Sequence, residues 1–197
     1  MIVIKHRINT INRIKNLPTN FGAEVDIRSR NKRLIISHDP MRSGIYLEKW
    51  LEFYKHRFII FNIKEEGLEK ELFKVIKKFS VGDFFLLDQS FPYYIKHLNI
   101  YGKYSSLRIS DFESLDKKDE LSKITKWLWI DFLRSFPLTA SKIIELKKRN
   151  HKLCVVSPEL INNFKVEEKI RLIRKRFEEA KIKIDAVCTK KSSLWVT

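Results

Sequence analysis

Cysteine, glycine and proline are scarce in this chain, which has two, five and five of them among 197 residues. Cys154 and Cys188 both lie inside apolar runs. That position is typical of small buried hydrophobic residues and argues against a disulfide framework or a zinc site. No Ser/Gly-rich linker or shift in composition marks a domain boundary. We therefore expect a single domain over residues 1–197.

Long hydrophobic segments are also missing, since no apolar run approaches the ~20 residues that a helix needs to cross a bilayer. The N-terminal run Met-Ile-Val-Ile-Lys-His shows neither the basic-then-apolar pattern nor the cleavage site of a signal peptide. We expect a soluble protein of the reducing cytoplasm, without a transmembrane segment.

Positive charge is what the chain has in excess, with 40 Lys and Arg against 24 Asp and Glu and a formal net charge of +16. An anionic partner or substrate is therefore expected. The basic residues are spread over predicted helices, for example Lys74, Lys77, Lys78, Arg171 and Arg174. No helix-turn-helix, zinc-finger spacing or aromatic single-strand platform accompanies them. Solvated helix faces are favoured over a nucleic-acid interface.

Strand-like and helix-like patterns alternate along the chain. Apolar runs predict strands at about 1–7, 23–28, 57–64, 83–88, 105–110, 126–132, 151–157 and 184–189, with a short extra strand at 33–38. Periodic segments predict helices around 9–17, 46–54, 67–79, 92–99, 114–123, 138–150 and 165–181. Eight strand–helix units favour an α/β fold closed into a compact (β/α)8 TIM barrel. An open parallel α/β sheet is the alternative.

Histidines and carboxylates are concentrated at strand ends within the first forty residues, at His6, Glu24, Asp26 and His38. Glu24 and Asp26 are two apart on one strand, so both point to the same face and can bind one hard cation, while Val25 faces the core. Such a cation polarises a phosphoryl oxygen, and histidines with ordinary pKa values near ~6.5 suit proton transfer at neutral pH. The pattern predicts metal-assisted phosphodiester cleavage with His6 and His38 as acid and base.

Further polar residues follow the predicted strands and would share the carboxyl-terminal face of the sheet. Asn62 and Lys64 repeat the two-residue spacing, which would place the Lys64 ammonium beside the metal as a positive charge for phosphate. For Glu159 a loop cap and a substrate contact are both open, as are core packing and a pocket wall for Trp129. We assign phosphate or substrate binding to Arg7, Lys64, Asp88, Arg108, Trp129, Asp131 and Glu159.

The order of these motifs resembles the glycerophosphodiester phosphodiesterase family, relatives of the phosphatidylinositol-specific phospholipases C. The similar segments are His6-Arg7, Asn9-Thr10, Gly22 to Asp26, His38-Asp39, Phe61 to Lys64, Gln89 to Phe91, Leu107 to Ser110 and Asp185 to Thr189. The resemblance implies a barrel enzyme that hydrolyses a small-molecule phosphodiester with a divalent cation, Mg²⁺ or Ca²⁺. It also places Asn62 at a third metal-ligand position, beside Glu24 and Asp26.

The chain departs from that family pattern at several positions. Ile8 replaces the glycine that follows His-Arg, and Asn62 replaces a glutamate. An amide oxygen can bind Mg²⁺ or Ca²⁺ but brings no charge, so it should hold the metal more weakly. Either the metal site is altered or the missing charge is supplied by Glu65, Glu66 or Asp88. Thr189-Lys190-Lys191 stands where the family tends to place an acidic residue.

The sequence therefore predicts a phosphoric diester hydrolase with a glycerophosphodiester-like substrate. One alternative is a barrel that binds phosphate or a phosphodiester but has lost turnover, because Asn62 weakens the metal. Another is a basic protein whose helices bind nucleic acid or an anionic membrane surface. The presence of both histidines and both β-strand carboxylates favours the enzyme, so the expected partner is a small-molecule phosphodiester and not a nucleic acid.

Overall fold

The structure is a computed structural model that describes residues 1–114 and 119–195. The chain divides into two compact units, an N-terminal unit of Ile4–Ser105 and a C-terminal unit of Met1–Val3 with Ser106–Thr197. Ten strands and eight α-helices among the described residues give the mixed α/β class that the sequence predicts. The single domain over 1–197 stays a prediction.

The N-terminal unit contains a mainly parallel sheet. Its strands are β1 (Ile2–Lys5), which begins in the other unit, β2 (Gly22–Arg30), β3 (Arg33–Ile36), β4 (Ile45–Tyr46), β5 (Ile59–Ile63) and β6 (Phe84–Leu87). β2 is parallel to β1 and to β5, and β5 is parallel to β6. β3 runs antiparallel to the second half of β2, and β4 runs antiparallel to β3. The extra strand predicted at 33–38 is thus the return strand of a hairpin, and β4 was not predicted.

Five α-helices belong to the N-terminal unit. They are α1 (Ile11–Lys15), α2 (Leu47–Leu51), α3 (Glu69–Lys78), α4 (Phe91–Lys96) and α5 (Leu98–Tyr101). Side-chain oxygens of Thr10 and Ser90 accept hydrogen bonds from the first turns of α1 and α4, which satisfies backbone N–H groups that lack a helical partner. α3 has acidic residues in its first turn and lysines in its last, as the helix dipole favours, and it buries Leu72 and Ile76.

The C-terminal unit repeats the alternation of strand and helix. Its elements are β7 (Ser106–Ile109), α6 (Asp119–Ser122), β8 (Trp127–Ile130), α7 (Ala140–Lys148), β9 (Lys152–Val156), α8 (Val166–Glu179) and β10 (Ala186–Thr189). Neighbouring strands in the order β7, β8, β9, β10 are parallel. Part of the helix predicted at 114–123, residues 115–118, lies outside the described residues. Cys154 and Cys188 are both free and buried.

Closure of the sheet into a barrel is the part of the fold prediction that the strand pairing does not bear out. Beyond its ladder with β5, β6 makes one isolated parallel bridge, between Leu86 and Ser105, which is too short to extend the sheet. In the C-terminal unit the ladder runs from β10 through β9 and β8 and ends at β7. Neither unit closes by itself into a (β/α)8 TIM barrel, and each contains an open, mainly parallel sheet.

The strands could be predicted from continuous apolar runs because they are buried on both faces. All five residues of β5, Ile-Ile-Phe-Asn-Ile, are buried, and Asn62 is the polar exception in that run. Gly22 begins β2 where a Cβ atom would lie 2.9 Å from both the Ile4 side chain and the Phe58 carbonyl oxygen. Only glycine therefore lets the start of β2 pack this closely against Ile4 of β1 and Phe58.

The basic helices have acidic partners of their own. On α8, Arg171 lies 3.6 Å from Glu167 and Lys175 lies 4.0 Å from Glu179. Pairs of this kind, one helical turn apart, are typical of a solvated helix face. No α-helix among residues 1–114 and 119–195 has the length and apolar content to span a membrane.

Candidate active site

The two carboxylates of β2 lie next to an amide from β5 in the N-terminal unit. Glu24 and Asp26 are fully buried, and Val25 between them packs in the hydrophobic core, as strand alternation requires. Asp26 is in register with Asn62, whose Nδ2 donates a hydrogen bond to Glu24 Oε1 at 3.0 Å. The three residues predicted as metal ligands therefore occupy one place on the sheet.

Glu24 lies in surroundings that oppose its ionisation. Burial, together with the charge of Asp26, raises the pKa of Glu24 to about 7, although hydrogen bonds from Arg7 and Asn62 act in the opposite direction. The Arg7 backbone N–H donates to Glu24 Oε2 at 2.6 Å, and His6 Nε2 lies 3.9 Å from the same oxygen. His6 is thus placed beside a carboxyl group that exchanges its proton near neutral pH.

Asp26 is held by Asn9 on one side and by Lys64 on the other. Asn9 Nδ2 donates to Asp26 Oδ2 at 2.7 Å, and Asn9 Oδ1 accepts from the Asp26 backbone N–H at 3.2 Å. Lys64 Nζ lies 3.4 Å from Asp26 Oδ1 and 3.8 Å from Asp88 Oδ2. The lysine predicted to carry a positive charge for phosphate therefore stands between two carboxylates from neighbouring strands.

Arg7 joins the end of β1 to the rest of the group. Its backbone has φ of 52°, a left-handed conformation that is uncommon for a residue other than glycine and recurs at functional sites. In this conformation its N–H reaches Glu24, while its side-chain Nη2 lies 2.5 Å from His38 Nε2 and its Nε lies 3.9 Å from Asp26 Oδ2. The next residue, Ile8, is buried and donates its N–H to the Glu24 carbonyl oxygen at 2.8 Å. Glycine is not needed there.

His38 is held by one acceptor and one donor. Its Nδ1 lies 2.8 Å from Asp39 Oδ1, and its Nε2 contacts the Arg7 guanidinium. A guanidinium group can only donate and an ionised carboxylate can only accept, so the proton is on Nδ1 and Nε2 carries the lone pair. The hydrogen bond from His38 lowers the pKa of the half-exposed Asp39. His38 thus has the state of a base whose ring is oriented by a carboxylate.

Three acidic residues, Glu65, Glu66 and Asp88, are the candidates to replace the charge of the missing glutamate at position 62. Glu65 accepts hydrogen bonds from the Ser29 backbone N–H at 2.9 Å and from Arg28 Nη1 at 3.3 Å. Glu66 accepts from the Ser90 hydroxyl. Of the three candidates, Asp88 is the one that reaches the site, through its ion pair with Lys64.

The fit of a divalent cation depends on the oxygen atoms that are left over. Within the described ranges, no group of three or more His, Cys, Asp and Glu side chains is arranged to hold a metal, so Asn62 would have to take part. Asp26 Oδ1 and Asn62 Oδ1 are buried and accept no hydrogen bond. Buried oxygens without a partner cost free energy, and carboxylate and amide oxygens are the ligands that Mg²⁺ and Ca²⁺ take. The residues therefore fit a divalent cation.

The other predicted substrate residues belong to the C-terminal unit. Arg108 on β7 forms an ion pair with Asp131, which follows β8, and its Nε lies 3.7 Å from Glu113. Trp129 is buried on β8. Their expected substrate contacts stay predictions.

Glu159 has hydrogen bonds to both of its oxygens. Oε2 accepts from the Ser157 hydroxyl, and Oε1 accepts from the Thr189 hydroxyl and from the backbone N–H groups of Lys190 and Lys191 at 3.0 and 3.3 Å. These bonds tie the segment after β9 to the end of β10. Of the two possibilities left open by the sequence, the loop cap is what the contacts describe, and Lys190 and Lys191 take part through their backbone.

Three contacting residues were not assigned a role from the sequence. In the sequence, Asn9 is marked only by its place in Asn9-Thr10 before α1, and Asp39 only by its place next to His38. Arg28 on β2 donates to the His38 carbonyl oxygen through Nε and Nη2, both at 3.2 Å, and carried no signal beyond its position two residues after Asp26.

Comparison with known proteins finds likeness of fold without likeness of sequence. No protein-family model and no curated protein matches the chain. A solved structure described as a glycerophosphoryl diester phosphodiesterase from Parabacteroides distasonis ATCC 8503 superposes with a TM-score of 0.64. The superposition covers 98% of this chain and 85% of that one, at 9% sequence identity. At this identity the similarity establishes a shared fold.

Proposed function

We propose that the protein hydrolyses a small-molecule phosphodiester of the glycerophosphodiester type, as a phosphoric diester hydrolase. The observation that carries the proposal is the position of Arg7, which contacts Glu24 through its backbone and His38 through its guanidinium group. A base, a basic group and a buried acidic pair are thereby assembled at one place. The activity by which the structural neighbour is described supports the same reaction. The closed (β/α)8 barrel stays a prediction of the resemblance.

The two histidines would divide the proton transfers. His38 Nε2, whose lone pair faces the Arg7 guanidinium in the structure, would take the proton from the attacking oxygen once Arg7 turns to the phosphoryl oxygens. The attacking oxygen is water or a hydroxyl group of the substrate. As the phosphorus–oxygen bond to the leaving alcohol breaks, His6 supplies the proton that the alkoxide needs. Asp39 orients His38, and Glu24 adjoins His6.

The charged residues would bind the phosphate. Arg7 offers N–H donors to the phosphoryl oxygens, and Lys64 offers a compact positive charge. Glu24, Asp26 and Asn62 would hold Mg²⁺ or Ca²⁺, which when bound polarises a phosphoryl oxygen. Substrate roles for Asp88, Arg108, Trp129, Asp131 and Glu159 are predictions that no observation yet tests.

A second candidate is a phosphodiester-binding protein without turnover. Asn62 favours it, because its Nδ2 donates to an oxygen of Glu24 that a metal would otherwise use. Lys64 has the same effect on Asp26. In this case the ligand binds and is released unchanged.

Hydrolysis of a panel of glycerophosphodiesters by wild type, His6→Ala and His38→Ala separates the two candidates. Loss of a general acid or base lowers the rate by ~10²- to 10⁴-fold while affecting binding far less. His56→Ala is the matched control, since His56 bonds to the Leu17 carbonyl oxygen and takes no part in the site. Equal residual rates for wild type and both variants, with binding of the diester retained in calorimetry, would establish the second candidate.

A further inference from the structure

A separate cavity in the N-terminal unit has three arginines among its eight lining residues. It has a volume of about 430 Å³ and is formed by β2, β3 and the loop between β3 and β4. Volumes of about 300–1,000 Å³ are typical of small-molecule sites. Its polar lining, called here the arginine cavity, consists of Arg28, Ser29, Arg30, Arg42, Ser43 and Glu65.

Arg28 and Glu65 contact each other on one side of this cavity. Arg28 donates to the His38 carbonyl oxygen at 3.2 Å and to the Lys64 carbonyl oxygen at 3.3 Å. Glu65 accepts from Arg28, from the Ser29 hydroxyl at 2.7 Å and from the Ser29 N–H. Burial alone would raise the pKa of Glu65, but these hydrogen bonds lower it. Its carboxylate is therefore ionised, and its charge is matched by Arg28.

Two further guanidinium groups, those of Arg30 and Arg42, lie along the lining. Arg30 is exposed at the end of β2. Arg42 has a side chain that is 76% exposed, and its Nε lies 3.4 Å from Asp39 Oδ2. An ion pair with this exposure is weak, so the remaining N–H groups of Arg42 stay available for a ligand. Two such groups match a doubly charged anion better than a single carboxylate.

The arginine cavity adjoins the proposed base. Arg28 binds the backbone carbonyl of His38, and Arg42 pairs with Asp39, the carboxylate that orients the His38 ring. A substrate that carries a second anionic group can therefore place this group at Arg30 and Arg42 while its phosphodiester lies at His38.

We propose that the arginine cavity binds a phosphomonoester carried by one alcohol of the substrate. The substrate class is then a phosphodiester with a second, terminal phosphate, and this inference rests on the function proposed above. A phosphomonoester has a charge of about −1.5 to −2 at neutral pH and three acceptor oxygens, which suits two arginines.

The test compares a diester of two glycerols with the same diester bearing a phosphomonoester on one primary hydroxyl. Wild type is expected to show a kcat/KM at least ~10-fold higher for the phosphorylated diester, because charge-assisted hydrogen bonds each contribute about this factor. Arg30→Ala with Arg42→Ala should remove the preference. Lys70→Ala with Lys77→Ala, which removes two exposed positive charges from α3, is the control and should keep it.

The outcomes separate this proposal from the hydrolase assignment. If the unphosphorylated diester is cleaved but wild type shows no preference, or if the preference survives in the double arginine variant, the cavity proposal is wrong. If neither diester is cleaved, the hydrolase assignment fails and calorimetry decides about the cavity. Wild type must then bind the phosphorylated diester at least ~10-fold more tightly, with the difference lost in the arginine variant. Equal affinities, or binding of inorganic phosphate as tight as that of the phosphorylated diester, overturn the proposal.

Discussion

Glu24 in the N-terminal unit and Glu159 in the C-terminal unit are both buried carboxylates that strand ends hold in place, yet their surroundings differ. Burial by itself would raise the pKa of Glu159, but hydrogen bonds from Ser157, Thr189 and backbone N–H groups lower it. For Glu24, burial and the neighbouring Asp26 outweigh the hydrogen bonds, and the pKa rises to about 7.

The difference separates a structural carboxylate from a candidate functional one. Glu159 has its acceptor oxygens filled and joins two segments of its unit. Near Glu24, Asn62 Oδ1 is buried without a hydrogen-bond partner, and Asp26 Oδ1 has the Lys64 ion pair but no hydrogen bond. Perturbed and unsatisfied groups of this kind are typical of binding and catalytic sites.

The largest effect is expected from neutralising the acidic pair. Glu24→Gln with Asp26→Asn keeps the size of both side chains but removes the charge that would hold a cation and support His6. We expect hydrolysis of the best glycerophosphodiester to fall by at least ~10²-fold, the order of effect of losing one catalytic group. The melting temperature should change little, since removal of the repulsion between the two carboxylates offsets loss of the Lys64–Asp26 ion pair. A variant that keeps full activity would contradict the site assignment.

Glu159→Ala, by contrast, should lower the stability of the protein. It leaves the Ser157 and Thr189 hydroxyls and the Lys190 N–H without their acceptor. At ~1–3 kcal/mol for each unsatisfied buried group, we expect the free energy of unfolding in urea to fall by roughly 4 kcal/mol. Glu178→Ala, on the exposed face of α8, is the control and should change stability by less than about 0.5 kcal/mol. A loss no larger than that of the control would remove the structural role given to Glu159.

The pH dependence of stability should differ in sign between the two carboxylates. The pKa of Glu24 rises from 4.5 to about 7, so between these values the folded state keeps a proton that the unfolded state has lost. Its contribution to stability is full below pH 4.5 and is lost as the pH rises through 7, up to about 3 kcal/mol. The lowered pKa of Glu159 has the opposite consequence, with stability present above pH 4.5 and lost on further acidification.

Urea titrations of the metal-free protein in EDTA measure this dependence. From pH 5 to pH 8, wild type should lose stability relative to Glu24→Gln, which has no carboxyl proton to release. Parallel pH profiles for the two proteins would show that Glu24 is not perturbed in the folded state.

The smallest effect concerns the cation. At ten times its dissociation constant, a ligand of the native state adds about 1.4 kcal/mol, which corresponds to a rise of a few degrees in Tm. Mg²⁺ or Ca²⁺ should raise Tm in this way, and Asn62→Glu should strengthen the response by restoring a third carboxylate. No shift at millimolar concentrations of either ion in either protein would exclude the cation, whereas Glu24→Gln with Asp26→Asn should abolish any shift that occurs.

Local patterns were sufficient for most of the fold. Each predicted strand coincides with an observed one, because strands buried on both faces are continuous apolar runs, as in Ile59–Ile63. The antiparallel direction of β3 follows from the two-residue turn at Asn31 and Lys32, because so short a connection cannot join parallel strands. The sequence analysis predicted β3 as a strand but not its direction, and it did not predict β4. Beyond β5, β6 makes one isolated bridge, between Leu86 and Ser105, so closure into a barrel stays a prediction.

The candidate active site was likewise predicted in part from local sequence patterns, and the rest depended on the tertiary structure. Strand alternation is local, so the sequence alone determined that Glu24 and Asp26 share a face and that His6 and His38 stand near strand ends. Only the tertiary structure decided that Arg7 meets His38, 31 positions away, and that hydrogen-bond donors reach both oxygens of Glu159 but neither Asp26 Oδ1 nor Asn62 Oδ1. Hydrogen bonds between distant segments depend on how those segments pack, and no pattern in a single segment records which donor will be within reach of which acceptor.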